Sequence, residues 1–428
     1  MLRRPSRRDI VKSAAKLATV TSLGACHATV ARAERAARSE IRASSRIDAM
    51  LQDATRAGDV PGLVALAATD NDIIYKGIVG GRRLHTGPSM TPDTVFRVAS
   101  MIKPITSVAA LQLVEQGKLS LHAPVPEIDP DLGAPHVLDG FDPKGLPQLR
   151  PARRPISLRD LLTHTAGFTY RLWDKKAVRY LKSIELLPKA ERARAPRTPL
   201  MFDPGERWQY GTSIDWVGRI VEAISGERLD IYLRRHIFDP LGMKDTSFDI
   251  SPEQQQREAS SHRRGPNGAL TPQPQERHTP RRSFSGGGGI YSTGPDYLTF
   301  LRMLLRGGSL DGVRILRPDT VALMGQNQIG EIEAGVLKTT VPSLSNDVNF
   351  FPGINCKWGF GHMINMQAVP GGRSAGSLTW GGLLNTYYWI DPARRIAAVF
   401  MTQVLPFADT RTLRIYRQFE RGIYAEVG

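Results

Sequence analysis

The sequence of 428 residues is long enough for one large domain or two, and 41% hydrophobic and 23% charged residues are typical of a globular protein. The formal net charge is +16, of which residues 1–33 carry +6 and the rest +10. The chain has no nucleic-acid-binding motif, so we expect no nucleic-acid partner and interpret the excess charge as a basic surface. Two cysteines, Cys26 and Cys356, give no disulfide framework, and neither HExxH nor CxxC occurs, so no metal or other cofactor is expected.

Residues 1–33 resemble an export signal of the twin-arginine type. Paired arginines in SRRDIVK precede a mild apolar run over 17–25, and Ala31-Arg32-Ala33 fits a cleavage site. Leu23-Gly24-Ala25-Cys26 also resembles a lipoprotein box, which would tether the chain to the membrane by a lipid on Cys26. A basic tail and an organellar transit peptide remain as alternatives. We expect an exported, periplasmic protein, since no apolar run is long enough to span a membrane.

Residues 45–119 predict a helix, a hairpin and a second helix. Residues 45–57 have an amphipathic pattern, and the strand-like runs 63–68 and 73–79 flank the turn residues Asp-Asn-Asp. Residues 96–119, FRVASMIKPITSVAALQLVEQGKL, predict a buried helix that begins near Ser100 and ends at Gly117. Pro104 is tolerated early in that helix because its missing N–H has no intrahelical acceptor to lose.

Residues 120–284 show helical patterns and long polar loops, with no clear strand pairs. A short helix is predicted over 158–168, with His164 as a structural histidine, and a loop with Tyr210 leads into a helix that ends at Gly226. Residues 251–283, rich in Pro, Gln and Arg, predict a mobile surface loop. The glycine run 285–289 then indicates a flexible backbone or a close approach between chain segments.

The end of the chain returns to strands. A helix over 295–306 precedes a hairpin formed by 385–390 and 396–403, and a last helix covers 410–424. The early strands of 45–119 and the late strands of 285–428 most simply form one antiparallel sheet covered by the first and last helices. This predicts an α+β fold with an inserted helical domain over 120–284 and a cleft where the two parts meet.

Ser100 and Lys103 have the spacing of an activated nucleophile. Residues three apart lie on the same face of a helix, so the hydroxyl and the amine can meet. The positive end of the helix favours negative charge near Ser100, and a buried lysine can take part in proton transfer. The tetrad alone is weak support, because the same pattern occurs at Ser13–Lys16 within the predicted signal.

Three motifs in order give this tetrad its context. Ser100-Met101-Ile102-Lys103 is followed by Tyr210-Gly211-Thr212 and by Trp380-Gly381-Gly382 before a strand. The chain thereby resembles the serine β-lactamase and penicillin-binding-protein superfamily over about residues 45–425. The segments WQYGTSIDWVGRIVEAISG and TWGGLLNTYYWIDP are most similar to the family VIII carboxylesterases.

The resemblance implies acyl transfer through a β-lactamase-like fold. Ser100 would attack an ester or amide carbonyl, and Tyr210, assisted by Lys103, would accept the serine proton and pass it to the leaving group. The backbone N–H groups of Ser100 and Leu383 would bind the oxyanion. Water would then hydrolyse the acyl-enzyme.

Two departures from the superfamily pattern bear on the substrate. Thr212 stands where lactamases carry asparagine, and Trp380 stands where they carry the cation that binds the β-lactam carboxylate. Gly381 and Gly382 would let substrate approach the edge strand closely. A tryptophan offers an apolar face and one N–H, so small neutral esters or amides are favoured over anionic substrates.

Other interpretations stay open. A β-lactamase or D-alanyl-D-alanine carboxypeptidase is the alternative enzyme, and a penicillin-binding-like protein without catalysis is the alternative outside enzymes. Residues 372–376 match G-x-S-x-G, the nucleophile motif of α/β-hydrolases, but that fold needs a histidine later in the chain and none follows His362. Ser374 is therefore interpreted as a loop serine.

Overall fold

A seven-stranded antiparallel sheet positions the rest of the chain. The structure is a computed structural model and describes residues 46–193, 195–275 and 278–427. The strands are β1 (Gly62–Thr69), β2 (Ile73–Gly80), β3 (Phe96–Arg97), β4 (His136–Phe141), β5 (Pro147–Pro151), β6 (His262–Arg264), β7 (Leu270–Pro272), β8 (Tyr291–Ser292), β9 (Ser309–Leu310), β10 (Val313–Arg314), β11 (Cys356–Trp358), β12 (Met363–Asn365), β13 (Leu378–Gly382), β14 (Thr386–Asp391), β15 (Ile396–Met401) and β16 (Val404–Leu405).

Helices cover both faces of this sheet and form most of the segment between its early and late strands. Short 3₁₀ turns occur at Ala99–Met101 and Arg171–Trp173, and a π-helical turn at Arg234–Phe238. The α-helices are α1 (46–56), α2 (Ile102–Glu115), α3 (Pro130–Gly133), α4 (Leu158–Leu162), α5 (Lys175–Ile184), α6 (Lys189–Arg192), α7 (Ser213–Ser225), α8 (Leu229–Leu233), α9 (Asp239–Leu241), α10 (Pro252–Gln256), α11 (Gly294–Leu305), α12 (Pro318–Met324) and α13 (Thr410–Glu426).

Early and late strands share the sheet, as predicted. Its order is β11-β12-β13-β14-β15-β1-β2, so β1 lies between its hairpin partner β2 and the late strand β15. Val64 is opposite Met401 and Thr69 is opposite Ile396. Both strands are apolar and buried throughout most of their length, which is expected of strands covered on two faces. The predicted α+β fold is confirmed.

The two faces of the sheet meet different helices. Successive residues of β14 point to opposite faces. Tyr387 stacks on Tyr416 of α13 with ring centroids 4.8 Å apart, and Trp389 contacts Phe419 of α13 at 5.5 Å. Tyr388, between them, contacts Tyr297 of α11 at 5.6 Å. The α13 face and the α11 face therefore have separate aromatic cores.

The helix α2 lies in the interior, as predicted. Nearly every residue from Ile102 to Leu113 is buried, so the helix has no solvent-facing stripe in that stretch. It packs against α7, and Gly117, with a φ of +70°, follows its end. The buried position fixes the residues at its N-terminus relative to the sheet.

The prediction that residues 120–280 contain no strand pairs is wrong. β4 and β5 form an antiparallel pair around a turn in which the Asp142 carboxylate accepts the N–H groups of Lys144 and Leu146. Prolines at both ends of β5 weakened the sequence signal. Residues 251–283 were predicted to form a mobile surface loop, but the described part of this segment has regular structure. It contains α10, and its strand β6 pairs with both β7 and β16.

The predicted export signal over 1–33, including Cys26, lies outside the described residues. Within the described part of the chain, no helix combines the length and apolar character needed to cross a membrane.

Candidate active site

Ser100 lies in the 3₁₀ turn that joins β3 to α2. Ala99 has a φ of +46°, a left-handed conformation that is unfavourable for a residue with a Cβ and is often retained at functional sites. The buried Tyr297 hydroxyl donates to the Met101 carbonyl at 2.8 Å and holds the turn from the other side. The half-buried Ser100 side chain is therefore held in a fixed position at the N-terminus of α2.

Lys103 connects Ser100 to two other parts of the chain. Its side chain is 0% exposed. The Nζ atom donates to Ser100 Oγ at 3.2 Å, to Tyr170 Oη at 3.3 Å and to the Gly287 carbonyl at 2.6 Å. Three acceptors satisfy the three donors of an ammonium group. The predicted contact between Ser100 and Lys103 is formed, and none of the direct partners carries a negative charge.

Tyr210 lies beside this lysine through its ring. Lys103 Nζ is 4.8 Å from the ring centroid, and the buried phenol hydroxyl has no hydrogen-bond partner among the described residues. Its loop is held by His164, whose Nδ1 accepts the Gly211 N–H at 3.3 Å. Burial, and then the charge of Lys103, lower the pKa of His164 well below its ordinary value, which suits a neutral acceptor. His164 is thus the structural histidine that the sequence predicted.

Tyr170 and Asp215 complete the cluster, and sequence reasoning did not identify them. Tyr170 accepts from Lys103 and donates to Asp215 Oδ2 at 3.3 Å. Burial, followed by the charge of Asp215, raises the pKa of Tyr170 well above its ordinary value, so this phenol stays protonated. The sequence signal available for Asp215 was an acidic residue in the first turn of α7, immediately before the apolar stripe of that helix.

The glycine run supplies the carbonyl that faces Lys103. Asp215 Oδ1 accepts from the Ser285 hydroxyl and, at 3.3 Å, from the Gly287 N–H. A Cβ placed on Gly286 would lie 2.3 Å from the Ile214 carbonyl oxygen, so only glycine lets this segment pack on α7. The close approach predicted for 285–289 is therefore what aims the Gly287 carbonyl at the lysine.

The end of β13 lies against the Ser100 turn. A Cβ on Gly382 would be 2.2 Å from the Val98 carbonyl oxygen, and one on Gly381 would be 2.6 Å from the Tyr387 ring. These contacts require glycine at both positions and bring Leu383, the next residue, to the Ser100 turn. This is where the resemblance places the second oxyanion donor.

Trp380 forms an aromatic wall next to Tyr210. Its side chain is 1% exposed, and its ring centroid is 4.6 Å from that of Tyr210 and 4.8 Å from that of Trp358. The Trp380 Nε1–H and the Thr212 hydroxyl are buried without a partner in the described part of the chain. Thr212 immediately precedes α7 but makes no hydrogen bond to Lys103. The wall is apolar where the superfamily pattern has a cation.

The remaining candidates lie elsewhere. Ser374 is in the connection between β12 and β13, where its N–H donates to Asp391 at 2.8 Å, so it is a loop serine. Among the described residues, no three His, Cys, Asp or Glu side chains are grouped as ligands for a metal ion.

Comparisons with known proteins place most of the chain in one family. The family model described as Beta-lactamase matches residues 47–422. The chain is 32% identical to the ML-236A carboxylate methylbutanoyltransferase of Penicillium citrinum, over 90% of this chain and 94% of that protein. It is also 32% identical to the lovastatin esterase of Penicillium rubens, over 88% and 98%. Unliganded simvastatin synthase from Aspergillus terreus superimposes with a TM-score of 0.77 at 29% identity, covering 90% of this chain and 98% of that one. The chain belongs to the beta-lactamase family, whose members here are serine enzymes of ester hydrolysis and acyl transfer.

Proposed function

We propose that the protein is a carboxylesterase that hydrolyses neutral esters through an acyl-enzyme on Ser100. The observation that carries this proposal is the buried Lys103, which donates to Ser100 Oγ at 3.2 Å and has no carboxylate among its direct partners in the described part of the chain. A lysine in this arrangement can stabilise negative charge that develops beside it. The relatives that act on esters support the class of reaction.

The proposed mechanism uses two tyrosines differently. Ser100 Oγ attacks the ester carbonyl carbon as its proton passes to Tyr210, which acts as a phenolate stabilised by the adjacent Lys103 ammonium, while the N–H groups of Ser100 and Leu383 bind the oxyanion. The tetrahedral intermediate then collapses, and Tyr210 returns the proton to the departing alkoxide. Water, losing its proton to Tyr210, attacks the acyl-enzyme, and Tyr210 returns that proton to Ser100 Oγ as the acid is released. Tyr170 does not act as the base, because its raised pKa keeps it protonated as a donor to Asp215.

Trp380 supports the preference for neutral substrates. A carboxylate placed against its buried ring would lose hydration without gaining a charged partner. The same apolar wall is suitable for an ester with an aliphatic or aromatic group. We therefore expect little activity on penicillins or on peptides with a free terminal carboxylate.

A second candidate is transfer of the acyl group to an alcohol rather than to water. It is favoured by the relatives that are named methylbutanoyltransferases, at 32% identity. The chemistry up to the acyl-enzyme is the same, and the two activities differ only in the nucleophile that reaches the acyl-enzyme.

The test compares p-nitrophenyl butyrate with nitrocefin for the wild type and Ser100→Ala. We expect ester turnover that is lost in Ser100→Ala and little nitrocefin hydrolysis. Ser374→Ala is the matched control and should keep wild-type turnover. Activity that survives Ser100→Ala would overturn the nucleophile assignment, and dominant nitrocefin turnover would overturn the argument from Trp380. Adding a primary alcohol and quantifying free butyrate against the butyrate ester of that alcohol separates hydrolysis from transfer.

We also propose that the protein is exported, on the basis of the sequence pattern in residues 1–33. Arg7→Lys with Arg8→Lys should retain the full-length chain in the cytoplasm of a bacterial host, whereas Cys26→Ala should remove any lipid label. Unchanged fractionation of the arginine variant would contradict export by the twin-arginine route.

A further inference from the structure

A cavity of about 290 Å³ lies beneath α13, on the other side of the sheet from Ser100. Thr379 and Tyr387 are part of its lining. Tyr387 stacks on Tyr416 of α13, and Thr379 is two residues from Gly381, the partner of Tyr387, so both belong to the α13 face. The lining also includes Trp380 of β13, whose ring centroid is 4.6 Å from that of Tyr210, so the cavity and the candidate active site come closest at this residue. The cavity is therefore separate from the Ser100 cluster.

Apolar side chains form most of its walls. Phe350, Phe351, Ile354, Val369 and Leu413 supply aromatic and aliphatic surface. The volume is at the lower end of the range for small-molecule pockets, about 300 to 1,000 Å³. A small apolar body would fill this space and release water from it.

The Arg373 side chain in the lining carries a buried N–H group without an acceptor among the described residues. Arg373 is 1% exposed, and its Nε and Nη2 atoms are bound by Glu420 and Tyr416. The Nη1 atom is buried and has no hydrogen-bond partner among the described residues. A buried guanidinium N–H without an acceptor is costly, so a site that holds one is suited to an oxygen ligand.

The charges of the lining favour an anion. Arg373, Arg417 and Arg421 are cationic and Glu420 is anionic, which leaves a net charge of +2. Arg417 and Arg421 are exposed on α13 and stand at the mouth, whereas Arg373 is at the interior end. An anion inside would meet the two cations at the mouth and, at the interior end, the Arg373 N–H group that Glu420 leaves without an acceptor.

We propose that this cavity binds a small carboxylate with an apolar body, such as a medium-chain or aryl carboxylate. The carboxylate oxygens accept from Arg373 Nη1 and the apolar body packs on the phenylalanine and leucine side chains. Recognition is a charge-assisted hydrogen bond combined with burial of apolar surface. The proposal stands whether or not the protein hydrolyses esters, because none of these contacts involves Ser100.

Calorimetric titration with octanoate tests the site, with octanol as the neutral counterpart. We expect saturable one-to-one binding of octanoate to the wild type and to Ser100→Ala alike, and much weaker binding of octanol. Val369→Trp, which fills the cavity, should weaken octanoate binding at least about tenfold. Arg373→Lys keeps the charge opposite Glu420 but removes Nη1, and should weaken it by a similar factor.

Variants on the exposed face of α13 provide the matched pair. Arg421→Gln at the mouth should weaken octanoate binding by about two- to fivefold, whereas Arg414→Gln, which lies on the same helix but pairs with Asp59, should not change it. These surface variants remain informative if Val369→Trp fails to fold, which circular dichroism would reveal. No saturable binding, equal affinity for octanol, or unchanged binding in folded Val369→Trp would each overturn the proposal, as would equal effects of Arg421→Gln and Arg414→Gln.

Discussion

Two buried cations on opposite faces of the sheet, Lys103 and Arg373, have different partners. Both are at most 1% exposed. Arg373 contacts a carboxylate directly, with Nε 2.8 Å and Nη2 2.7 Å from the two oxygens of Glu420. Burial alone would raise the pKa of the Glu420 carboxyl, but the adjacent guanidinium lowers that pKa below its ordinary value. Lys103 contacts only uncharged oxygens, and Asp215 is reached through Tyr170.

The difference separates a cation that is paired directly with a carboxylate from one whose charge no direct partner compensates. In the Arg373 pair the opposite charges compensate each other, and replacing one partner leaves the other buried and uncompensated. In the Lys103 cluster no direct partner neutralises the charge, so it can stabilise an anion that forms on Ser100 or Tyr210. The predicted consequences for activity and stability are therefore opposite.

Lys103→Met should nearly abolish ester hydrolysis while leaving the protein folded. We expect kcat/KM for p-nitrophenyl butyrate to fall by roughly 10³-fold, because the variant loses the charge that assists proton transfer. The melting temperature should change little, since no opposite charge loses its partner. Activity within tenfold of wild type would show that catalysis does not need the charge of Lys103.

Arg373→Met should instead lower the stability of the protein. The variant leaves Glu420 buried without its partner, and the free energy of unfolding should fall by about 3–5 kcal/mol in a urea titration. Glu420→Gln added to Arg373→Met should recover most of that loss. If the single and double variants are equally unstable, packing rather than the uncompensated charge explains the effect.

Asp215→Asn tests whether the carboxylate beyond Tyr170 positions the catalytic groups. It accepts from Tyr170, Ser285 and Gly287, and the amide lacks one of these acceptor positions. We expect kcat to fall about ten- to a hundredfold with KM nearly unchanged. The variant disturbs Tyr170 and Gly287, which position Lys103, and leaves the substrate contacts intact. Asp230→Asn is the control, because this half-buried carboxylate is paired with Arg228 away from the cluster. A change confined to KM would assign Asp215 to substrate binding instead.

The smallest effect concerns a carboxyl of α13 that has no cationic partner among the described residues. Burial, and then repulsion from Asp48, raise the pKa of Glu426 to about 7 from an ordinary 4.5. The folded protein therefore binds this proton more tightly than the unfolded chain, and the stabilisation is lost as pH rises from about 5 towards 8. Glu426→Gln should flatten the decline in unfolding free energy over this range. Parallel pH profiles for wild type and variant would contradict the assignment.

The sequence by itself determined the strand hairpins, the buried helix and the meeting of Ser100 with Lys103. The β1–β2 and β14–β15 hairpins follow from apolar runs on either side of short turns, and the α2 helix from its apolar periodicity. Ser100 and Lys103 are three residues apart, so local geometry alone brings their side chains together. These features depend on contacts within a short stretch of chain, which a sequence pattern records directly.

Only the tertiary structure decided what surrounds the lysine. Tyr170 and Gly287 are 67 and 184 residues from Lys103 in the chain, and they reach it because α2, α7 and the glycine run pack together. The β4–β5 pair was missed for a local reason, since its prolines weaken the strand pattern. The pairing of Arg373 with Glu420 spans 47 residues and depends on α13 lying across the sheet. Single-sequence periodicity shows which face of an element is buried, but its partners are selected by the packing of the whole chain.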